Sequence, residues 1–168
     1  MKRILLYGYG GHAKVLAELL INHGCHWVGV FDDKEQDTQN PQIEYLGQYS
    51  ESIWPEVRII IAIGNSPIRQ KISRLIRHSY ETFIHPSAFI SKTSQIGEGS
   101  VVLQNAVIQH NVTIGKHCLL NVQSSVDHDT VVNDFVHIAP HAYLGSNCLI
   151  SALSDLSPGQ IIPRFSNI

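Results

Sequence analysis

The sequence predicts an α/β unit with a Rossmann-like nucleotide-binding pattern over residues 1–82, followed by a parallel β-helix of six-residue repeats over residues 83–168. Three observations carry this reading. A short apolar strand at the start runs into a glycine-rich turn and a helical pattern. Further apolar strands and a second helical pattern follow as far as residue 78. From Ile84 onward an aliphatic residue stands at every sixth position without a break.

Lys2 to Tyr7 form the first strand, closed by Gly8-Tyr9-Gly10-Gly11-His12-Ala13. Val15, Leu16, Leu19 and Leu20 recur at helical spacing between Gly11 and His23, and Gly24 suits a helix C-cap. Trp27 to Phe31 is a second strand ending in Asp32-Asp33, and Val57 to Ile63 a third that runs into Gly64-Asn65. Pro67 to His78 reads as a helix with Pro in its first turn. Glycines at 8 and 10 allow a tight turn and the close approach of a pyrophosphate, with the N–H groups of the following helix facing it. Asp32 and Asp33 stand where an acidic residue accepts the hydroxyls of a ribose. Alone, G-x-G-x-x-A with this acid reads as a nicotinamide-dinucleotide fingerprint. Residues 1–82, however, supply one mononucleotide-binding half rather than the two a dinucleotide spans. Glycines serving only a tight strand–helix turn remain the structural alternative.

The second half is set by its period. Ile84, Ile90, Ile96, Val102 and every sixth residue onward to Ile168 are aliphatic, fifteen positions of fifteen, where chance gives about four. Four residues after each, the side chain is mostly small, as at Ala106, Ser124, Thr130 and Ala142, with Gln160 the exception. A period of six fits neither helix nor simple strand alternation, but it fits a solenoid in which each hexad is one short strand plus a corner. The aliphatic residue fills the interior and the small one lets the chain turn. A β-sandwich would break this phase at irregular turns.

Composition removes several function classes. The formal net charge of −2 leaves no basic field for nucleic acid, and no uncharged apolar run is long enough for a membrane span. The glycine-rich opening follows Met1-Lys2-Arg3 too soon for a signal peptide. Cys25, Cys118 and Cys148 read as free thiols of a reducing cytoplasm.

Taken together, Tyr7 to His12, Phe31-Asp32-Asp33, Ile61 to Asn65 with Arg69, Phe83 to Pro86, Asn121 to Asp129 and Asp134 to Pro140 resemble one family. It is the hexapeptide-repeat sugar O- and N-acetyltransferases of the NeuD and PglD type. The resemblance implies a left-handed β-helix of three hexads per coil, so that residues 18 apart stack, and a homotrimer that binds acetyl-CoA between neighbours. It implies a nucleotide-linked sugar held by Gly8, Gly10, Gly11, His12, Asp32, Asp33 and Asn65. His128 would be the general base, Asp129 its orienting carboxylate, and His137, Gly145 and Ser146 would face the coenzyme.

The chemistry asks for these residue types. Acyl transfer from a thioester needs an amine or hydroxyl relieved of its proton near neutral pH. Histidine titrates there, and a neighbouring carboxylate stabilises its imidazolium. No metal is expected: the related solenoid zinc enzymes place two histidines five residues apart, a spacing absent from the repeats here. His110, His117 and His141 are expected to be solvent-facing corner residues, and Cys118 and Cys148 inward core residues. The final stretch from Ser157 to Ile168 lacks the tail common in the family, and His141 and Leu144 to Asn147 depart from its pattern. That sets a second reading beside the enzyme: a shortened, non-catalytic relative that binds nucleotide sugar and trimerises.

Overall fold

The computed structural model describes residues 3–35 and 37–168; Lys2, expected to open the first strand, lies outside them. The chain divides into two compact units, Met1–Gly64 with Lys71–Glu81, and Asn65–Gln70 with Thr82–Ile168.

The first unit runs β1 (Arg3–Tyr7), α1 (Gly11–Asn22), β2 (Trp27–Phe31), β3 (Ile43–Gly47), β4 (Ile59–Ile61) and the end of α2 (Ser66–Ser73). Its four strands form one parallel sheet in the order β3-β2-β1-β4. Leu5, Leu6, Val28, Val30, Ile59 and Ile60 are fully buried, as expected of parallel strands covered on both faces. Strand β3 was not expected from the sequence. It is an edge strand with a single buried residue, Ile43, so it lacks the apolar run that marks its neighbours. The third expected strand narrows to Ile59–Ile61. Helix α2 stops at Ser73 rather than His78, because the chain turns back to lay Tyr80 against Ile59.

In the second unit every hexad contributes a two-residue strand, from Phe83–Ile84 to Ile161–Ile162. Among the described residues these strands make three parallel sheets of five, five and four. Each strand pairs with the one 18 residues on, as in Leu119↔His137 and Ser125↔Tyr143. The aliphatic positions from Val102 to Ile162 form one buried core, while Ile84 and Ile168 remain exposed.

The corners differ in detail from expectation. The residue that turns the chain is the one before the small residue. Asn105, Asn111, His117, Gln123, Asp129, Phe135, His141 and Asn147 all adopt φ between 53° and 61°. This left-handed region costs most residues free energy and is best tolerated by Asn, Asp and Gly. The small residue after it does a second job. Ser100 Oγ donates to Gly115 O at 2.8 Å and accepts the Cys118 N–H at 2.9 Å, stitching one coil to the next.

Candidate functional site

Strands Ser125–Val126 and Val131–Val132 flank the corner that carries Asp127, His128 and Asp129. Asp129 takes φ 58°, which leaves its side chain and that of His128 on the solvent side of the turn. His128 Nδ1 lies 2.8 Å from Asp129 Oδ2. A carboxylate only accepts, so Nδ1 carries the proton and Nε2 presents its lone pair outward. The second Asp129 oxygen accepts Asn111 Nδ2 at 2.7 Å from the coil beneath, and the Asp129 N–H donates to His110 O. The hydrogen bond to Asp129, with the charge of Asp127 behind it, raises the His128 pKa above the ordinary histidine value. The Asn111 bond, followed by that of His128, lowers the Asp129 pKa.

Asp127 does not pair with the imidazole. Its Oδ1 accepts the His128 backbone N–H at 2.8 Å and its Oδ2 accepts the Tyr143 hydroxyl at 3.0 Å. Beside it lies an open cavity of about 200 Å³ lined by Val107, Gln109, Ser125, Val126, Asp127 and Tyr143. The register Val126↔Leu144 sets Gly145 and Ser146 one coil above Asp127 and His128. Gly145 is required by packing, since a Cβ there would come within 2.6 Å of Arg164 N. His110 stands one coil below His128 with Nδ1 2.9 Å from Thr93 Oγ1. Sequence reasoning missed Asn111 and Tyr143. The signal for both was the stacking of coils 18 residues apart, which puts Asn111 under Asp129 and Tyr143 above Ser125.

The structure does not bring His137 to this corner. It lies in the sheet of Leu119 and Asp155, on another side of the coil. Burial, and then the charge of Arg69, hold its pKa below the ordinary value. His117 corrects an expectation: it is buried rather than solvent-facing. Its ring stacks on Phe135 with centroids 5.0 Å apart and fills the space over Gly99. Burial, together with the Arg69 charge, takes its pKa down to about 4. His110 and His141 are exposed, and Cys118 and Cys148 are buried, with the Cys118 thiol pushed up to about 11 by burial.

In the first unit, Gly8, Gly10, Gly11, His12, Asp32 and Asp33 gather at the C-terminal ends of β1 and β2. Gly8 has φ 92° and donates to Phe31 O at 2.7 Å; a Cβ on it would meet Ile63 at 2.9 Å. Gly10, the α1 N-cap, and Gly11 face open space. Nothing in the fold demands glycine there. Asp32 braces the loop, accepting Tyr9 N–H at 2.7 Å on one oxygen and Lys34 N–H at 2.9 Å on the other. Asp33 is exposed, with Oδ1 3.4 Å from the Tyr7 hydroxyl. His12 is half-buried in the first turn of α1. Asn65, in the second unit, caps α2 by accepting Ile68 N–H at 3.0 Å on Oδ1. Among the described residues no group of three His, Cys, Asp or Glu is placed to hold a metal ion, and no helix is long and apolar enough to cross a membrane.

One chain thus holds a parallel β-helix of hexads, with an exposed, carboxylate-paired histidine at one corner, and a glycine-loop α/β unit. Among known proteins, residues 3–76 match the PglD N-terminal domain. The chain is 32% identical over 112 residues to UDP-N-acetylbacillosamine N-acetyltransferase of Bacillus subtilis, covering 61% of this chain and 52% of that one. The acetyltransferase domain of PglB from Neisseria gonorrhoeae superposes with a TM-score of 0.78 at 28% identity, over 100% of this chain and 91% of that one. The same domain in complex with acetyl coenzyme A gives 0.76 at 26% identity, over 99% and 95%. The chain spans about half the length of the curated relatives it matches.

Proposed function

We propose that this chain transfers an acetyl group from acetyl-CoA to an amino or hydroxyl group of a nucleotide-linked or nonulosonic sugar, in the cytoplasmic synthesis of a surface glycan. The observation that carries the reading is the His128–Asp129 pair, a 2.8 Å hydrogen bond that fixes the imidazole with Nε2 outward on an exposed corner. His128 Nε2 takes the proton of the acceptor as its nitrogen or oxygen attacks the thioester carbonyl. Asp129 holds the tautomer and stabilises the imidazolium, and the coenzyme thiol leaves. The relatives support the substrate class, since those matched include enzymes named for UDP- and GDP-linked amino sugars.

Residues 1–82 form the nucleotide-sugar-binding domain on this reading, and residues 83–168 the acyltransferase domain. Gly10 and Gly11 leave room for phosphates at the α1 N-terminus, with Gly8 shaping the turn and His12 and Asp33 beside it; the resemblance alone assigns Asn65 to the same ligand. Asp32 acts by bracing the loop. Gly145 and Ser146 flank the thioester above His128. His137 serves the coenzyme from a neighbouring copy in a homotrimer, because within one chain it lies on a different side of the coil from His128.

The test is thiol release from acetyl-CoA against a panel of UDP- and GDP-amino sugars and sialic acid, wild type beside His128→Ala. Release with one acceptor, reduced by about 10²–10⁴ in the variant, is the expected result. Silence across the panel with nucleotide still bound overturns the enzymatic reading and leaves a sugar-binding relative.

A further inference from the structure

The chain has only two tryptophans, Trp27 and Trp54, and both line one open cavity of about 360 Å³ together with Arg3, His26 and Glu44. Arg3 opens β1, His26 and Trp27 stand at the start of β2, and Glu44 lies near the start of β3. In a parallel sheet these are the N-terminal ends, the opposite end from Gly8 and Asp32. The acetyl-transfer reading therefore makes no use of this cavity.

Several features show that it is held in shape. Trp54 has φ 50°, the one non-glycine residue of the first unit among those described with positive φ. A bulky side chain in that region is strained, and such strain persists where the surroundings impose it. The imposition is visible: the Trp54 ring packs onto Gly29 so closely that a Cβ there would lie 2.6 Å from it. The Arg3 guanidinium lies 5.2 Å from the centroid of the Trp54 ring. Trp27 Nε1–H donates to Glu44 Oε2 at 3.0 Å, which orients the indole and leaves Glu44 Oε1 for another donor.

We propose that this cavity binds a neutral pyranose ring. A pyranose offers an apolar C–H face and an equatorial rim of hydroxyls. The Trp27 indole is the open aromatic face for the first. Glu44 accepts from hydroxyl hydrogens and Arg3 donates to hydroxyl oxygens, which serves the second. A small anion fits less well because Glu44 lines the same cavity and offsets the charge of Arg3. The volume falls at the low end of small-molecule sites, the size of one sugar ring or two.

The two tryptophans make the test direct, because both of the chain's tryptophans line this cavity. The full chain is titrated with the methyl glycosides of glucose, galactose and mannose and with N-acetylglucosamine, beside acetate, inorganic phosphate and uridine. A saturable change with at least one pyranose, at a Kd on the order of 1–10 mM, is expected for a ligand of about a dozen heavy atoms. Glu44→Gln and Arg3→Met, each checked for an unchanged melting temperature, weaken it at least tenfold. No saturation with any pyranose up to about 100 mM overturns the proposal, as does equal affinity in both folded variants. Saturation with acetate, phosphate or uridine alone also overturns it, in favour of an anion or a base. Thiol release from acetyl-CoA is independent of every one of these outcomes.

Discussion

Asp129 touches His128 on one oxygen and Asn111 on the other, so its removal acts on both the position and the basicity of the imidazole. A general base works in its neutral form, and His128 has a raised pKa. If His128 is the general base proposed above, kcat/KM climbs with pH through a midpoint above the ordinary histidine value. Asp129→Asn removes the first cause of that elevation, so the midpoint moves down while the plateau falls by about 10² or more. A pH–rate profile of both proteins checks this, and an unmoved midpoint refutes the pairing. His117 gives a stability prediction of the opposite kind. An unfolded chain protonates it near 6.5, but the folded chain holds it neutral down to about 4. Between those values the unfolded state binds more protons, so stability falls as pH drops through the window, by on the order of 3 kcal/mol in all. His117→Phe, a residue the equivalent corners at Phe135 and Phe165 already accept, loses that slope. Melting temperatures from pH 4 to 7 measure it. These two histidines also mark what the sequence could say about the site. The pairing of His128 with a carboxylate was legible because acids flank it in the chain. His117 was not, because its burial comes from Gly99, Phe135 and Arg69, which reach it only after the coils stack.

Within a coil, the element that matters is the corner, and each is shaped by the corners above and below it. Gly99 shows this most sharply. It has φ 74°, and a Cβ there would sit 2.4 Å from the buried His117 ring. Gly99→Ala therefore combines left-handed strain with an intrusion into a packed ring, at a cost of about 2–4 kcal/mol. Urea denaturation read against wild type gives the value, and a loss under about 0.5 kcal/mol would show that the corner yields. The hexad core was legible because one residue in six points inward regardless of what surrounds it. The strand β3 and the end of α2 were not. An edge strand with one buried residue carries no periodic signal, and α2 ends where Tyr80 finds a bridge to Ile59. Asp32 belongs to the same group: an acid after a strand reads as a ribose acceptor until Tyr9 and Lys34 are seen donating to it.

At the scale of the whole molecule, the outward positions of the β-helix carry apolar side chains that a lone chain leaves in water. Phe89 is 56% exposed and Ile161 70%, both on the face of Tyr143, while Val131 and Leu149 are exposed on a second face. Solvated polar residues would be the ordinary choice at such positions, and apolar ones in rows mark a surface that another protein covers. A closed ring of three is the assembly proposed above, and it sets a mass of about 56 kDa for three chains of 18.7 kDa. Sedimentation equilibrium of the wild type gives that mass at micromolar concentration. The double variant Leu149→Glu/Ile161→Glu buries two carboxylates at those faces if the ring forms, and it sediments as a monomer. Neither residue touches His128 or Asp129, so the dyad survives intact. Acetyl transfer is nonetheless lost, because the groove that would hold the coenzyme needs the His137 side of one copy against the His128 corner of the next. A wild type that sediments as a monomer yet releases thiol from acetyl-CoA would refute the shared groove and return His137 to a structural role.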